Sequence, residues 1–178
     1  VAHRGELQPR TAEKIFHTRI EGGFRKIIRH GDAPANYWWE VVDKNGMKNY
    51  YGGTGTSQDA GSILGGSQGV FKWSLKKTVD PHGNTVSYNY VKIEDVGISG
   101  GTVPGSQLYI NTIAYTGQGS SEGAYTVDFK RDRDLNEARR TDIMIDARGG
   151  FKQVTADLLR KIEVKYNSSL IRSYKLNY

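Results

Sequence analysis

Cysteine is absent from this sequence of 178 residues, which excludes disulfide bonds and thiolate metal sites. Long apolar runs are missing too. No stretch approaches the roughly 18 consecutive apolar residues that a membrane-spanning helix requires, so we expect no membrane span. The opening segment, VAHRGELQPR, has no apolar stretch after a basic start, which argues against a signal peptide. A chain without cysteine fits a cytosolic protein and a bacterial secreted protein equally well.

Acidic residues are outnumbered by basic ones, and the formal net charge is +6. Such a charge suggests nucleic-acid binding only where the cations cluster. Here most basic residues alternate with apolar ones, as on the solvated face of a strand. The densest basic segment, residues 130–140, also contains Asp132, Asp134 and Glu137, which largely neutralise it. We therefore expect no nucleic-acid partner.

Glycine (22 residues) and tyrosine (11 residues) are plentiful, a composition that suits short strands joined by turns. Residues 71–90, FKWSLKKTVDPHGNTVSYNY, show the pattern best. Apolar side chains occupy every second position of both arms, and the Asp80–Asn84 segment between them has the residues of a tight turn. The alternation predicts a β-hairpin with one buried face. The apolar positions are Phe71, Trp73, Leu75 and Val79 in the first arm, and Val86, Tyr88 and Tyr90 in the second.

Similar arms recur along the chain. The closing arms at 86–90, 125–129 and 174–178 share one aromatic pattern, and each follows a matching partner arm. In the middle hairpin, the alternation predicts that the arm with Tyr109, Ile113 and Tyr115 pairs with the arm that holds Tyr125, Val127 and Phe129. Hairpins of this kind bury their aromatic face by lying side by side. The sequence thus predicts an all-β fold with little helix, in which antiparallel hairpins form one curved sheet with hidden tyrosine rings. Further strands are expected at 15–20, 24–30, 37–41 and 47–51, with a type I′ turn at Asp43–Gly46.

The predicted organisation has three parts. Residues 1–11 are expected to be a flexible N-terminal segment, and residues 12–178 a single β-rich domain. Within that domain, the stretch 52–69 is rich in Gly and Ser, which predicts a long surface loop. The chain does not begin with Met, so we expect it to be a fragment of a larger protein.

No constellation in the sequence indicates catalysis. Asp132-x-Asp134 begins like a calcium loop but lacks the glycine and is crowded by arginine, and salt-bridged carboxylates are the simpler interpretation for it and for Asp142 and Asp146. The four histidines lack metal-ligand spacing, and His82 falls in a turn. We therefore predict no catalytic, cofactor-binding or metal-binding residues, and no cofactor.

Aromatic side chains are the best candidates for binding, because sugars stack on flat aromatic faces. The candidate ligand-binding residues are Trp38, Trp39 and Trp73. Aromatic residues at alternating positions are more often part of a core. Trp38 and Trp39 are neighbours on a predicted strand, so their rings should point to opposite faces.

Several motifs, taken in order, resemble a known family. They are Trp39 with DKNG at 43–46 and Tyr51-Gly52, Phe71-x-Trp73-x-Leu75, Asp80-x-x-Gly83-Asn84, Tyr88-x-Tyr90, Ile113-x-Tyr115, Tyr125-x-Val127-x-Phe129, Leu159-x-x-Ile162 and Tyr174-x-Leu176-x-Tyr178. Together they resemble the amino-terminal region of the SpvB family of bacterial virulence proteins. That region is shared with the B component of the Tc insecticidal toxin complexes and is similar to Rhs and YD-repeat proteins.

The resemblance implies a β-rich structural region. In the toxin complexes this region forms part of a hollow shell, and the family's ADP-ribosyltransferase lies in a separate domain to which nothing here is similar. We therefore expect a non-catalytic shell or scaffold region of a secreted toxin protein, in contact with other regions of the same polypeptide or with toxin-complex subunits. The alternative is a carbohydrate-binding β module that uses exposed Trp and Tyr.

Overall fold

A computed structural model describes residues 14–55, 57–66 and 69–178 of the chain. By internal contacts the chain divides into two compact units, with the boundary between Thr85 and Val86. The segment predicted to be flexible, residues 1–11, lies outside the described residues. The assignment of residues 12–178 to a single domain stays a prediction.

The first unit is built from short antiparallel strands. They are β1 (Lys14–Phe16), β2 (Lys26–His30), β3 (Trp38–Val42), β4 (Lys48–Tyr51), β5 (Gly53–Thr54), β6 (Ser57–Gln58), β7 (Ile63–Gly66), β8 (Gly69–Trp73) and β9 (Leu75–Val79). Five of them form a sheet in the order β1-β2-β3-β4-β9, while β5-β6 and β7-β8 are separate two-stranded ribbons. A 3-10 turn, Ala60–Ser62, precedes β7.

The second unit contains longer strands. They are β10 (Asn84–Asp95, which begins just before the boundary), β11 (Gly105–Gln118), β12 (Tyr125–Arg131), β13 (Met144–Asp146), β14 (Gln153–Thr155), β15 (Leu159–Tyr166) and β16 (Ser169–Lys175), with one short helix, α1 (Asp132–Leu135). Its sheet has the order β10-β11-β12-β15-β16, and β13-β14 is a separate ribbon. The predicted all-β fold of antiparallel hairpins with little helix is confirmed. No helix in the described part of the chain has the length and apolar character needed to cross a membrane.

Two hairpin turns share one geometry. In Asp43–Gly46 and in Asp80–Gly83, the glycine N–H donates to the aspartate carbonyl, at 2.9 Å and 3.0 Å, and the glycine has a φ of +84°. Asn45 does not adopt a positive φ. The predicted type I′ turn at Asp43–Gly46 is therefore wrong, because that turn needs two consecutive residues with positive φ. The hairpin itself is confirmed, since Val41 pairs with Asn49.

The predicted surface loop at 52–69 is wrong. This stretch holds β5, β6, the 3-10 turn, β7 and the start of β8, and its Leu64 side chain is fully buried. Glycine here lets the backbone approach aromatic rings. A Cβ placed on Gly53 would lie 2.9 Å from Cγ of Trp38, and one on Gly52 would lie 2.3 Å from Cδ1 of Trp73. The glycines that suggested flexibility instead permit close packing.

The single strand predicted across 71–79 is also wrong. It divides at Ser74, so that β8 pairs with β7 and β9 pairs with β4. Ser74 is the switch point, because its N–H donates to Ser62 O (2.8 Å) and its carbonyl accepts from Gly52 N–H (2.9 Å). The result inverts the expected burial, since Ser74 is 8% exposed and Phe71 is 49% exposed.

Pairing in the second unit follows the sequence more closely. Tyr115 pairs with Tyr125 and Ile113 with Val127, as the alternation predicts. The rings of Tyr115 and Tyr125 stack with 5.4 Å between centroids. At the last hairpin the expectation of hidden rings is wrong, because Tyr174 is 48% and Tyr178 75% exposed.

Predicted strand ends also differ. In the first unit, β1 stops at Phe16 and the predicted continuation to Ile20 is absent, with Ile20 86% exposed. In the second unit, β16 ends at Lys175, before the predicted end of the last arm.

Candidate functional site

The three candidate tryptophans all lie in the first unit, Trp38 and Trp39 in β3 of its sheet and Trp73 at the end of β8. Trp38 and Trp39 are adjacent in β3 and point to opposite sides, as expected. Trp38 is 3% exposed. Its ring stacks on that of His30, with centroids 3.9 Å apart and planes 12° apart, and is tilted against Tyr50 at 6.3 Å. Its ring faces are therefore already covered by protein.

Trp39 and Trp73 do come together. Their rings meet edge to face, with centroids 5.8 Å apart and planes 87° apart, and the ring centroid of Phe16 lies 6.0 Å from that of Trp39. Phe16, Trp39 and Trp73 therefore form one cluster of aromatic rings. Both tryptophans are half-buried. Edge-to-face pairs of this kind contribute about 1 kcal/mol beyond the area that they bury.

Neighbouring polar groups fix the orientation of Trp73. Its Nε1–H donates to Tyr37 O, and the same carbonyl accepts a second hydrogen bond from Gln58 Nε2 at 3.0 Å. The guanidinium of Arg29 lies 4.2 Å from the centroid of the Tyr37 ring, a cation–π distance. No local pattern predicts a role for Arg29, Tyr37 or Gln58, because these contacts join residues far apart in sequence.

In the second unit, ionisable side chains form an ion-pair network around Arg133. Arg133 makes a two-pronged contact with Asp157, in which Nε and Nη2 each lie 2.9 Å from a carboxylate oxygen. It also reaches Asp95 at 3.2 Å, and Asp95 pairs with Arg139 at 2.6 Å. Burial opposes the ionisation of Asp95, but the Gly97 N–H and the two guanidiniums outweigh it and lower the pKa of its carboxyl. The network holds this carboxylate in its charged form.

The Asp132-x-Asp134 motif is part of the same region and does not form a calcium loop. Asp134 pairs with Arg131 at 2.8 Å. Asp132 is fully buried, and its Oδ1 accepts from the backbone N–H of Arg133 at 2.7 Å. Among the residues that the structure describes, no group of three or more His, Asp or Glu side chains is arranged to hold a metal ion.

The other two carboxylates singled out from the sequence are also paired. Asp142 contacts Arg140 at 2.8 Å, and Asp146 contacts Arg148 at 2.7 Å. Hydrogen bonds from Arg148 lower the pKa of Asp146 to about 2. A general acid that works near neutral pH needs a raised pKa, and here the shift runs in the opposite direction. The salt-bridge interpretation of Asp142 and Asp146 therefore agrees with the structure.

The fold and these contacts define a class: an all-β protein built as an array of antiparallel hairpins, with clustered aromatic rings in its first unit and a network of ion pairs within its second. The family model described as Salmonella virulence plasmid 65kDa B protein, SpvB, matches residues 4–137. The chain therefore belongs to the SpvB family. No curated protein sequence matches it.

Solved structures share its fold. The N-terminal domain of effector protein SpvB from Salmonella typhimurium strain LT2 has a TM-score of 0.71 and 16% identity, covering 98% of this chain and 72% of that domain. A TcdB2-TccC3-Cdc42 crystal structure has a TM-score of 0.69 and 15% identity over 92% of this chain. The Tc holotoxin pore of Photorhabdus luminescens has a TM-score of 0.69 and 16% identity over 90% of this chain. The chain spans 10% of each of those toxin chains. The resemblance seen in the sequence is confirmed.

Proposed function

We propose that this chain is a non-catalytic structural region of a secreted SpvB-like or Tc/Rhs-like toxin protein. In this role its hairpin array forms part of a shell or scaffold that contacts other regions of the same polypeptide or other toxin-complex subunits. The observation that carries the proposal is the match of nearly the whole chain, 98%, to the N-terminal domain of an effector protein. The role in a larger toxin protein is inferred from this structural similarity.

The ionisable groups support a structural role. Asp142, Asp146 and Asp157 each have an arginine partner, so none of them is a free carboxylate awaiting a substrate. Other polar side chains form hydrogen bonds that connect loops to strands. Tyr109 is an example, because its hydroxyl accepts from the backbone N–H groups of Ala156 (2.9 Å) and Asp157 (3.1 Å).

The proposal is tested in the toxin polypeptide that carries this chain. Asp142→Asn removes an exposed carboxylate and Asp146→Asn a half-buried one, and a structural role predicts unchanged secretion and toxicity. Trp38→Ala removes a buried ring, so toxicity should fall together with thermal stability and protease resistance. Abolished toxicity in a carboxylate variant that keeps the wild-type melting temperature would show that the region acts chemically, and the proposal would be wrong.

Carbohydrate binding is the second candidate function, and the half-buried Trp39 and Trp73 are the observation that favours it. Trp38 can contact a sugar only when its ring separates from the His30 ring on which it stacks. Screening the chain against a glycan array, with Trp39→Ala, Trp73→Ala and Trp38→Ala as variants, separates the two functions. Binding that is lost in the Trp39 or Trp73 variant, with the fold retained, would favour the module.

A further inference from the structure

The last strand of the second unit, β16, lies at the end of its sheet and is unusually open. It pairs with β15 on one side, and among the described residues no strand pairs with its other side. All seven residues of β16 are exposed. They include three large apolar side chains: Leu170 at 55%, Ile171 at 57% and Tyr174 at 48% exposure. An open edge of this kind is a template for another strand.

The register identifies the backbone groups that this edge presents. The Leu176 N–H donates to Arg160 O at 2.9 Å, so these two residues form a hydrogen-bonded pair. In an antiparallel ladder, hydrogen-bonded and non-hydrogen-bonded pairs alternate. Ser173, opposite Glu163, and Lys175, opposite Lys161, are therefore in non-hydrogen-bonded pairs. The N–H and C=O groups of Ser173 and Lys175 point away from β15, toward the open edge.

The charged residues of β16 and of the sequence around it are all basic. The sequence from Val164 to Tyr178 contains no acidic residue. Lys165 in that stretch is paired with Asp128 and Glu163, at 2.7 Å and 3.0 Å. Arg172 donates to the Tyr174 hydroxyl at 3.4 Å, and no carboxylate in the described part of the chain pairs with it or with Lys175. Two cations thus flank the outward-facing backbone of Ser173.

We propose that β16 is the docking edge for an extended polypeptide strand that carries carboxylates, which joins the sheet by strand addition. The backbone groups of Ser173 and Lys175 supply the hydrogen bonds, and Arg172 and Lys175 select acidic partners. The inference rests on the proposed structural role, and it names the chemistry of the neighbour. A second copy of β16 is disfavoured, because it would bring its own cations against these cations.

The register also gives the pattern of the partner. In an antiparallel partner, the acidic residue opposite Lys175 precedes the one opposite Arg172 by three positions. Between them, the residue opposite Tyr174 should be aromatic or branched, because aromatic cross-strand pairs are favourable. The residue opposite Ser173 should be small and polar. The acetylated, amidated peptide TEYTEVT has this pattern, and TKYTKVT is its charge-reversed control.

The test is the binding of these two labelled peptides to the chain, followed by fluorescence anisotropy and by amide NMR. We expect TEYTEVT to bind at least about tenfold more tightly than TKYTKVT, with the largest slowing of amide exchange at Ser173 and Lys175. The Arg172→Glu/Lys175→Glu double variant should reverse the preference. Equal binding of both peptides, binding that leaves those two amides unaffected, or no binding of TEYTEVT overturns the proposal.

Variants at Ser173 separate strand addition from simple charge attraction. Ser173→Pro removes an N–H that points outward, so the sheet keeps its own hydrogen bonds while the docking edge loses a donor. Ser173→Ala keeps the donor and should bind like the wild type. If the proline variant has a lowered melting temperature, the double charge variant still decides the question. Undiminished binding by a folded proline variant would refute strand addition.

The peptide result and the toxicity result are independent. Failure of TEYTEVT to bind, with toxicity that still follows folding stability, removes the acidic-strand inference and leaves the structural role intact. Toxicity lost in a stable carboxylate variant removes the structural role, whatever the peptides do. Exchange at Ser173 in the longer toxin polypeptide shows the source of the strand: protection before peptide is added means that the strand belongs to that polypeptide.

Discussion

Gly52 offers the sharpest test of how the first unit is packed. Its φ is +71°, in the left-handed region that glycine alone adopts readily, and a Cβ there would lie 2.3 Å from Cδ1 of Trp73. Gly52→Ala should therefore incur two costs. The left-handed backbone costs an L-residue about 1 kcal/mol, and forcing the Trp73 ring to move costs about 2 kcal/mol. The expected loss in the free energy of unfolding is about 3 kcal/mol.

Gly55 is the matched control. It has a similar φ of +67°, but in the described part of the chain no atom beyond its immediate chain neighbours lies within 4 Å of the Cβ position, so Gly55→Ala should lose only the backbone term of about 1 kcal/mol. Urea unfolding of both variants, followed by tryptophan fluorescence and circular dichroism, measures the difference. Equal losses would mean that Trp73 does not pack on Gly52, and the account of residues 52–69 as a packed segment would fail. In a Trp73→Leu background, the gap between the two glycine variants should shrink.

Three further variants test other parts of the fold. Trp38→Ala should lower the free energy of unfolding by about 4 kcal/mol, because a fully buried aromatic ring leaves a cavity, and calorimetry measures this loss. Tyr109→Phe should cost about 2 kcal/mol by urea unfolding, since the backbone N–H groups of Ala156 and Asp157 lose their acceptor; a neutral result would contradict the role of the hydroxyl. Hydrogen bonds from its two lysine neighbours lower the pKa of Glu163 from 4.5 to about 2. Its carboxylate therefore stabilises the fold above pH 4.5, and this contribution is lost as the pH falls toward 2. Glu163→Gln should flatten that part of the stability profile, and a profile identical to the wild type would refute the ion-pair assignment.

Local patterns in the sequence predict the strands of the second unit well. Period-two alternation places Tyr115 opposite Tyr125 and Ile113 opposite Val127, and the structure has this register. The reason is physical: β10, β11 and β12 are neighbours in chain order, and so are β15 and β16, so local pattern and tertiary pairing agree. The β12–β15 pair is the exception in this sheet, because residues 132–158 lie between the two strands. In such a sheet, the alternation of apolar and polar residues is enough to predict most of the strand pairing.

In the first unit the same reasoning fails where pairing is not local. Ser74 is polar and sits on the expected wet face, yet it is buried, because Gly52 and Ser62 take its backbone hydrogen bonds. The Gly-rich composition of 52–69 indicates flexibility only when no large ring lies nearby. Here the Trp38 ring lies close to Gly53 and the Trp73 ring close to Gly52. The two glycine–ring contacts join residues 15 and 21 positions apart in sequence, and no local pattern encodes which ring approaches which glycine.

The candidate site shows a related limit. Adjacent positions in the sequence placed Trp38 and Trp39 on opposite faces, and the structure agrees. Composition did not reveal that Trp39 would meet Trp73, or that the Tyr37 carbonyl would fix the Trp73 ring. The salt-bridge interpretation of Asp142 and Asp146 was more secure, because each arginine partner is only two residues away.

The small core explains why the edges of this sheet matter. The largest fully buried side chains are Leu64, Val154, Asp132 and Ser62, and two of these four are polar. Most strand residues are only half-buried, so each strand gains much of its stability from its two neighbours in the sheet. A strand with one neighbour has lost half of that support. On this reasoning β16, which is exposed along its whole length, is the element that would gain most from an added strand.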